Sequence, residues 1–330
     1  NTHSLMRRFF NQLFNLLKIS FTILFIGGLT YYIIDRIQEK NNLMDIEEYS
    51  PKSTLINKKT KLKRSKYPFV DVHNHQFDMP LKNLNNLVAE MDSLNMGFMI
   101  NLSGFRGLYL KKSLENIKEN APNRFGLFLN IDFEAIDESD FEATQTALID
   151  SAVNSGVMGL KVYKSLGLTD IDSKGNRIPI NDPRLAPIWD TCGKNKIPVL
   201  IHSGEPSSFW HPKDKFNERW LELRQKPNRF RDPNTNPSFE EVLAEQHEVF
   251  KKHPNTIFIN AHLGWMGNDL DRLENHLDTF PNVMTEIGAV LAELGRQPKR
   301  ARSFFIKYQD RILFGKDSYK VSEYLSLIHI

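Results

Sequence analysis

Short apolar runs with β character alternate with amphipathic stretches from residue 67 onward. Between the runs, apolar residues recur at helical spacing, for example in "LKNLNNLVAEMDSLN" and "LDRLENHLDTF". Strands that alternate with helices predict parallel βαβ units. Eight such units over about 250 residues are typical of a (β/α)8 TIM barrel. The main alternative, a doubly wound α/β sheet, is weakened because no glycine-rich phosphate loop follows the first run. The predicted strands are 69–73, 97–102, 125–132, 157–163, 197–202, 256–262, 282–287 and 311–317.

A charge-free apolar run precedes this region, at residues 19–34. Apolar character extends upstream of it, so we predict a transmembrane helix within an N-terminal signal anchor at residues 1–34, with a buried hairpin as the alternative. Basic residues dominate before the run and acidic residues after it, which places the body on the extracytoplasmic (periplasmic) side. No small-residue cleavage site follows, which favours an uncleaved anchor. Residues 35–66 are polar and aperiodic and are interpreted as a charged linker.

The net positive charge of the chain comes from its N-terminal part. Residues 1–66 hold 12 Lys and Arg against 5 Asp and Glu, whereas the remainder holds 31 against 35. The body therefore lacks the basic surface of a nucleic-acid-binding protein. We expect a small-molecule substrate and a membrane as partners, with a homo-oligomer left open. The single Cys192 excludes an intrachain disulfide and a cysteine zinc cluster.

Histidine and aspartate follow several of the predicted strands. The relevant segments are "YPFVDVHNH" with His73 and His75, "LIHSGEP" with His202, "NAHLGW" with His262 and "LFGKDS" with Asp317. An H-x-H pair alone is more often a surface or packing feature, but the carboxyl ends of barrel strands meet on one face. Imidazole and carboxylate without thiolate predict a metal site, with zinc favoured and manganese, iron or cobalt as alternatives.

Side chains alternate along a strand, which assigns a direction to each residue near these ends. If the two histidines of the first strand point into the barrel, Asp71 does too, and Val72 faces the surrounding helices. By the same rule, an inward His262 leaves Ile259 and Ala261 facing outward. Asp71 is then expected to lie behind the metal ligands and to orient a histidine.

The combination of these motifs resembles the amidohydrolase superfamily, and in particular its amidohydrolase-related branch, also called amidohydrolase 2. The resemblance covers nearly the whole region beyond the linker. It implies a TIM-barrel enzyme in which His73, His75 and Asp317 hold a metal ion, usually together with His202. It also implies that His262 lies close to the metal and the substrate.

Lys161 lies in the fourth predicted strand, "GLKVYKS", with a parity that points it inward. A buried ammonium without a partner is costly, which leaves two interpretations. Lys161 could be carboxylated and bridge two metal ions, as in binuclear members of the superfamily, or it could pair with an inward Glu286. Pairing is favoured because the branch usually works with one ion. Glu286 is expected to lie behind the metal ligands.

A long connection, residues 203–237, follows the fifth predicted strand. Connections of this length usually form lids or binding loops. The candidates for substrate contact are Arg106, Trp210, His211 and Trp265. Core packing is an equal alternative for the two tryptophans. The arginine could hold a carboxylate or phosphate, with a solvated loop position as its alternative. The histidines expected on the surface are His247, His253 and His276.

Both ends of the sequence suggest an incomplete chain. The sequence begins at Asn1, with Met6 as a candidate start, and 13 residues follow Asp317. The eighth strand of a barrel needs a helix to cover its outer face. The barrel domain, residues 67–330, is therefore expected to be C-terminally truncated within its final helix, and "LSLIHI" is interpreted as a foreign tail.

These patterns favour a metal-dependent hydrolase that uses a metal-activated water on an amide, cyclic amide, lactone or ester bond. In this hypothesis Asp317 takes the proton of the water and His262 polarises the scissile carbonyl. A metal-dependent, non-oxidative decarboxylase is the alternative, since the resembling branch contains such enzymes. A catalytically inactive, membrane-tethered binding protein is a third hypothesis, against which the complete ligand set argues.

Overall fold

The computed structural model describes residues 2–41, 44–45, 48–56 and 63–324. The chain divides into two compact units, Asn1–Lys58 and Lys59–Ile330, and each is described by itself.

The first unit contains one long helix, α1, Thr2–Asn41. Its stretch Met6–Lys40 is long and apolar enough to cross a membrane, by length and composition alone. The helix continues beyond residue 34, where the sequence predicts the anchor to end. The added turns contain good helix formers, and Arg36 binds Glu39 one turn later at 2.9 Å. The first part of the predicted linker is therefore helical.

Eight parallel strands form the barrel of the second unit, in the order β1 to β8, which confirms the predicted fold. A parallel bridge between Asn74 and Ser318 joins the segment after β8 to the end of β1. The N–H of Val72 also donates to the carbonyl of Phe314 at 3.0 Å. The strands are β1, Phe69–Asn74; β2, Met96–Asn101; β3, Phe125–Leu129; β4, Gly159–Val162; β5, Val199–Ile201; β6, Phe258–Asn260; β7, Val283–Glu286; and β8, Ile312–Leu313.

Helices follow the strands and pack against the outer face of the barrel. Helix α7 begins with a capping box in which Ser238 and Glu241 each accept the other's backbone N–H. The helices are α2, Leu84–Leu94; α3, Gly107–Asn120; α4, Phe141–Asn154; α5, Ala186–Lys194; α6, Trp220–Gln225; α7, Phe239–Lys252; α8, Leu270–Thr279; α9, Leu291–Gly295; and α10, Pro298–Lys307. After β8, the described residues form one short 3-10 helix, Val321–Tyr324. The tail interpreted as foreign, residues 325–330, lies outside the described part of the chain.

Two apolar clusters fill the barrel unit. The larger cluster joins strands to helices, whereas the smaller one consists of strand residues and their immediate continuations and lies inside the barrel. Lys161 of β4 is the register partner of Leu200 of β5, which belongs to the inner cluster. Lys161 therefore faces inward, as predicted. The buried members of the inner cluster are Ile100, Leu102, Phe128, Leu200, Ile259 and Ala261.

The directions predicted for Val72, Ile259 and Ala261 are wrong, because all three pack in the inner cluster. For Val72 the reason is a shift in the pairing of β1 with β2, which falls between Asp71 and Asn74. Strict alternation does not continue through such an irregularity, so neighbouring side chains can leave the strand on the same side. For Ile259 and Ala261 the reason is the left-handed turn that follows β6 and begins at His262.

The three histidines expected on the surface are not exposed. His253 and His276 are buried, and His247 is half-buried. His253 pairs with Asp190 at 2.7 Å. The ring of His276 packs 4.7 Å from that of His247 and 5.1 Å from that of Phe280, measured between centroids. These imidazoles serve as flat packing surfaces, which a sequence pattern does not distinguish from exposed positions.

His276 makes the stability of the barrel depend on pH. Burial and the nearby charges of His247, Arg311 and Arg272 lower the pKa of His276 from 6.5 to about 3. The unfolded chain therefore binds more protons than the folded one between these values, and stability falls as pH decreases through this window. We expect His276→Leu to reduce the pH dependence of the free energy of unfolding by up to about 1.4 kcal/mol per pH unit. The measurement is urea unfolding between pH 6.5 and 4.5. The exposed His211, changed to Leu, is the control and should leave the slope unchanged.

Candidate metal centre

Five side chains from four strand ends converge at the carboxyl face of the barrel. Oδ1 of Asp317 lies 3.4 Å from Nε2 of His73 and 3.4 Å from Nε2 of His75. Nε2 of His262 lies 3.9 Å from Oδ2 of Asp317 and 3.3 Å from Nδ1 of His202. The structure thus brings together the four histidines and the aspartate that the strand ends predict.

A left-handed turn carries His262 to this centre. After β6, the φ angles of His262, Leu263 and Gly264 are 57°, 55° and 60°. Left-handed backbone costs about 1–2 kcal/mol for each residue with a side chain, and the burial of this turn in the core offsets the cost. Asp317 also has a positive φ, of 58°, which aspartate tolerates better than most residues. Its N–H donates to the carbonyl of His73 at 2.8 Å, which ties the segment after β8 to β1.

Glu286, at the end of β7, holds the histidines in place from behind. Its Oε1 accepts from Nδ1 of His73 at 2.9 Å and from the backbone N–H of His262 at 2.7 Å. Its Oε2 accepts from the N–H of Gly288 at 2.5 Å. Burial alone would raise the pKa of Glu286, but the contacts with His73 and His262 hold it at about 2. The carboxylate therefore stays ionised and fixes the orientation of His73.

The hydrogen bonds also determine which ring nitrogens face the centre. Nδ1 of His262 lies 2.8 Å from the carbonyl of Gly288, which can only accept, so this nitrogen carries the proton. Nδ1 of His73 donates to Glu286 in the same way. In the neutral form of each imidazole, Nε2 then presents a lone pair toward Asp317.

The electrostatics of the centre suit a cation. Burial lowers the pKa values of His73, to about 4, and of His75 and His202. These imidazoles are therefore neutral at pH 7. Burial alone would raise the pKa of Asp317, but its contacts with His75, His73 and His262 hold it well below its usual value. Neutral imidazoles beside an ionised carboxylate are the donor set of zinc and related ions.

Two further observations test the fit of a metal ion. Nε2 of His202 is buried without a hydrogen-bond partner in the described residues. Donor atoms of His73, His262 and Asp317 all lie within 4.8 Å of one another. These three residues differ from the ligand set that the resemblance implies. The group includes His262, whereas His75 and His202 lie beside it. The residues present fit a metal ion.

Asp71 does not orient an imidazole, which corrects the sequence-based expectation. Its side chain accepts from the backbone N–H groups of His73 at 3.0 Å and Lys316 at 3.1 Å, and from the hydroxyl of Tyr324. The pairing of β1 with β2 becomes irregular after Asp71, which breaks the alternation from Asp71 to the two histidines on which that expectation depended. Asp71 therefore fastens the closing segment of the barrel to β1.

Lys161 lies inside the barrel beside the centre. Its side chain is 1% exposed, and its Nζ has no hydrogen-bond partner among the described residues. The predicted pairing with Glu286 is wrong, because that carboxylate is taken by His73 and the two backbone N–H groups. Burial lowers the pKa of Lys161 to about 8, against the opposing charges of Asp317 and Glu286. Carboxylation of Lys161 stays a prediction.

The four candidates for substrate contact lie in different surroundings. Trp265 packs its ring 4.6 Å from that of His262, between centroids. Nε1 of Trp210 donates to the carbonyl of Pro237 at 2.7 Å, which fixes the two ends of the long connection to each other. His211 is exposed. Arg106 pairs with Asp132 and lines a cavity next to the centre.

Sequence patterns did not indicate the surroundings of His75. Its Nδ1 lies 2.8 Å from Oγ of Ser103, which in turn lies 3.1 Å from the hydroxyl of Tyr163. The rings of Phe77, Tyr163 and Tyr319 stack near the imidazole, with centroids 5.7, 6.0 and 5.5 Å away. Phe77 lies two positions after His75 and continues the alternation of β1. It was the one sequence feature that could have indicated an aromatic neighbour of His75. These rings form an aromatic wall on one side of the centre.

A buried ion network attaches the long connection to the barrel. Glu205, three residues after His202, binds Nζ of Lys164 at 2.6 Å and the guanidinium of Arg231 at 2.9 Å. Arg231 is itself buried within the connection. The segment therefore lies fixed against the ends of β4 and β5.

Because Gly315 has no side chain, there is space beside it for the carboxylate of Glu286. A Cβ at Gly315 would overlap Oε2 of Glu286 and would lie 2.8 Å from Cβ of His73. We expect Gly315→Ala to displace both side chains and to weaken metal binding by about 10- to 100-fold in equilibrium dialysis. Gly295→Ala is the matched control, because a Cβ there meets nothing within 4 Å. Equal metal affinity in the two variants would contradict this arrangement.

Comparisons with known proteins bear on the family and the fold. A search of curated proteins finds no match to this sequence. Among solved structures, 2,6-dihydroxybenzoate decarboxylase in complex with 2,6-dihydroxybenzoate is 15% identical, with a TM-score of 0.48 over 77% of this chain and 88% of that one. Dihydroxybenzoic acid decarboxylase from Polaromonas, with bound manganese and an inhibitor, is 14% identical, with a TM-score of 0.48 over 76% and 86%. Dihydroorotase from Campylobacter jejuni is 14% identical, with a TM-score of 0.43 over 80% and 73%.

A family model described as amidohydrolase matches residues 122–322, which is more than half of the chain. The matched region includes the strand ends that carry His202, His262 and Asp317. The chain therefore belongs to the amidohydrolase family, whose members are metal-dependent enzymes, as the resemblance of its motifs predicts.

Proposed function

We propose that this protein is a metal-dependent hydrolase that cleaves an amide, cyclic amide, lactone or ester bond in a small molecule. The observation that carries the proposal is the convergence of four imidazoles on an ionised carboxylate, with Nε2 of His73 and His262 directed at Asp317. Such a set binds a divalent ion and leaves a carboxylate available for proton transfer.

The residues that would hold the ion are His73, His262 and Asp317, with His75 and His202 beside them. Zinc suits these nitrogen and oxygen donors best, and one or two ions of zinc, manganese, iron or cobalt are compatible with them. When bound, the ion supplies Lewis-acid chemistry: it polarises the scissile carbonyl and acidifies water.

We assign a role to each side chain from its protonation state and from the atom that carries the proton. Asp317 is ionised and accepts a proton from the attacking water at a carboxylate oxygen, then passes it to the leaving group. His262 does not suit the role of carbonyl-polarising donor, because Gly288 holds its proton on Nδ1. We assign His262 to metal binding instead. Lys161 has an unpaired donor beside the centre, and its Nζ can bind the oxygen that becomes negative during attack.

Non-oxidative decarboxylation is the second candidate function. The observation that favours it is the unpaired ammonium of Lys161 beside the centre, which matches a substrate carboxylate. A substrate carboxylate held in this way could be released as carbon dioxide with the same metal-binding residues.

We further propose that α1 anchors the enzyme in a membrane with the barrel on the periplasmic side. Support comes from the apolar span Met6–Lys40 and from the basic residues that precede its charge-free run, residues 19–34. Protease protection of the barrel in intact spheroplasts would contradict this orientation.

The test is a turnover screen of the full chain in detergent, loaded with one equivalent of zinc. Panels of esters, lactones, amides and aromatic carboxylic acids are assayed for acid release and for carbon dioxide. We expect metal-dependent acid release that chelation abolishes and added zinc restores. Carbon dioxide without acid release would favour the decarboxylase. Unfolding on chelation, without turnover on any panel, would favour the inactive binding protein.

A further inference from the structure

A polar cavity of about 250 Å³ opens beside the centre, between the ends of β3 and β4. Its inner wall contains Lys161 and Tyr163, and Tyr163 also stacks near His75. Its outer wall contains Asp132, Glu134 and further polar residues of the loops after β3 and β4. A substrate arm that leaves the centre past Tyr163 would therefore enter this cavity.

The outer wall carries more negative charge than its cation can balance. Asp132 is paired with Arg106, but Glu134 and Asp170 have no ion-pair partner among the described residues. Asp132, Glu134 and Asp170 line the same cavity, and burial together with the charges of the other two carboxylates raises the pKa of Asp170. A positively charged group placed between them would relieve this repulsion.

The inner wall has the opposite character. Lys161 lines the cavity, and its buried Nζ lacks a hydrogen-bond partner in the described chain. An unpaired buried ammonium is costly unless a ligand supplies an oxygen. The two walls thus present a donor cation near the reacting centre and acceptor anions farther from it.

We propose that this cavity, the β3–β4 cavity, binds an amino-acid-like part of the substrate. The substrate oxygen that becomes negative during attack contacts Nζ of Lys161, and a cationic amine lies between Glu134 and Asp170. The inference rests on the proposed function, since it places the amine on an arm of the molecule that reacts at the metal centre. It narrows the substrate class to amides, lactones or esters of amino-functional carboxylic acids.

The test measures binding, by calorimetry, to the zinc-loaded full chain in detergent. The probes are β-alanine, γ-aminobutyrate and 5-aminovalerate, each compared with the alkanoate of the same length: propionate, butyrate and valerate. We expect at least one amino acid to bind about 10- to 100-fold more tightly than its alkanoate, the range of a charge-assisted hydrogen bond. Glu134→Gln should remove this preference. Glu138→Gln, an exposed carboxylate of the same loop outside the cavity, should retain it.

Lys161→Met examines the other wall and should weaken amino acids and alkanoates alike by about tenfold or more. Equal binding of amino acids and alkanoates, a preference that survives Glu134→Gln, or no binding of any probe would overturn the proposal. Results that contradict the hydrolase proposal differ from results that contradict the cavity proposal. A protein that binds the amino acids selectively but turns over no substrate contradicts only the hydrolase, whereas turnover without any preference for amines contradicts only this cavity.

Discussion

Replacing Asp317 with Asn is expected to reduce turnover by about 10²- to 10⁴-fold, the usual contribution of a general acid–base group. The amide cannot accept the proton of the attacking water, but its oxygen can still bind a cation. The backbone should be unaffected, because asparagine tolerates the positive φ of position 317 as well as aspartate does. The measurement is the ratio of turnover to metal content in the purified variant, which should fall with the metal largely retained.

Asp310→Asn is the control for this experiment. Asp310 is exposed and lies in the turn that leads into β8, so its removal changes the charge of the same segment without touching the centre. Its turnover and metal content should match those of the unchanged protein. Full activity in Asp317→Asn would contradict the assignment of Asp317 as the proton acceptor.

Replacing Glu286 with Gln should weaken metal binding and the fold together. The carboxylate accepts from His73, from the N–H of His262 and from that of Gly288. A glutamine of the same shape must turn its NH₂ toward one of these donors, which leaves a buried group unsatisfied at a cost of about 1–3 kcal/mol. We expect metal affinity to fall by about 10- to 100-fold because His73 loses its orientation.

Glu245→Gln separates the two effects. Glu245 pairs with Arg177 at 2.5 Å and is largely buried, but it lies on α7 away from the centre. This control should lower the free energy of unfolding without changing metal affinity. Chemical unfolding of the metal-free protein and zinc titration give the two quantities independently. If Glu286→Gln binds zinc as tightly as Glu245→Gln, the supporting role of Glu286 is wrong.

The periodicity of the chain was sufficient to predict the barrel, because each strand is a short apolar run and a helical pattern follows each of the first seven. All eight observed strands overlap the predicted ones. The ends were predicted less well, since the ends of the shortest strands depend on pairing rather than on composition. β8, for example, has only two residues, Ile312–Leu313, within the predicted run 311–317.

The convergence of the five side chains could be predicted because barrel strand ends share one face. Their detailed directions could not. His262 reaches the centre through a left-handed turn, and the pairing of β1 with β2 becomes irregular after Asp71. Neither feature has a signature in strand alternation. The partner of Lys161 was also wrong, because Glu286 is occupied by histidine and backbone donors that come from distant parts of the chain.

The aromatic wall around His75 and the charges of the β3–β4 cavity depend on loop conformation. Tyr319 follows β8, whereas Phe77 follows β1, and their rings approach to 5.6 Å between centroids only in the folded barrel. Sequence reasoning can identify strand ends as positions of function, but the loops that determine substrate choice have no comparable periodicity.

An anomalous-difference map at the zinc edge, from crystals of the zinc-loaded protein, would show directly where the ion binds. We expect a peak between Nε2 of His73, Nε2 of His262 and the carboxylate of Asp317, and its loss in the variant His73→Ala. No peak at this position at saturating zinc, or a peak that His73→Ala leaves unchanged, would contradict it.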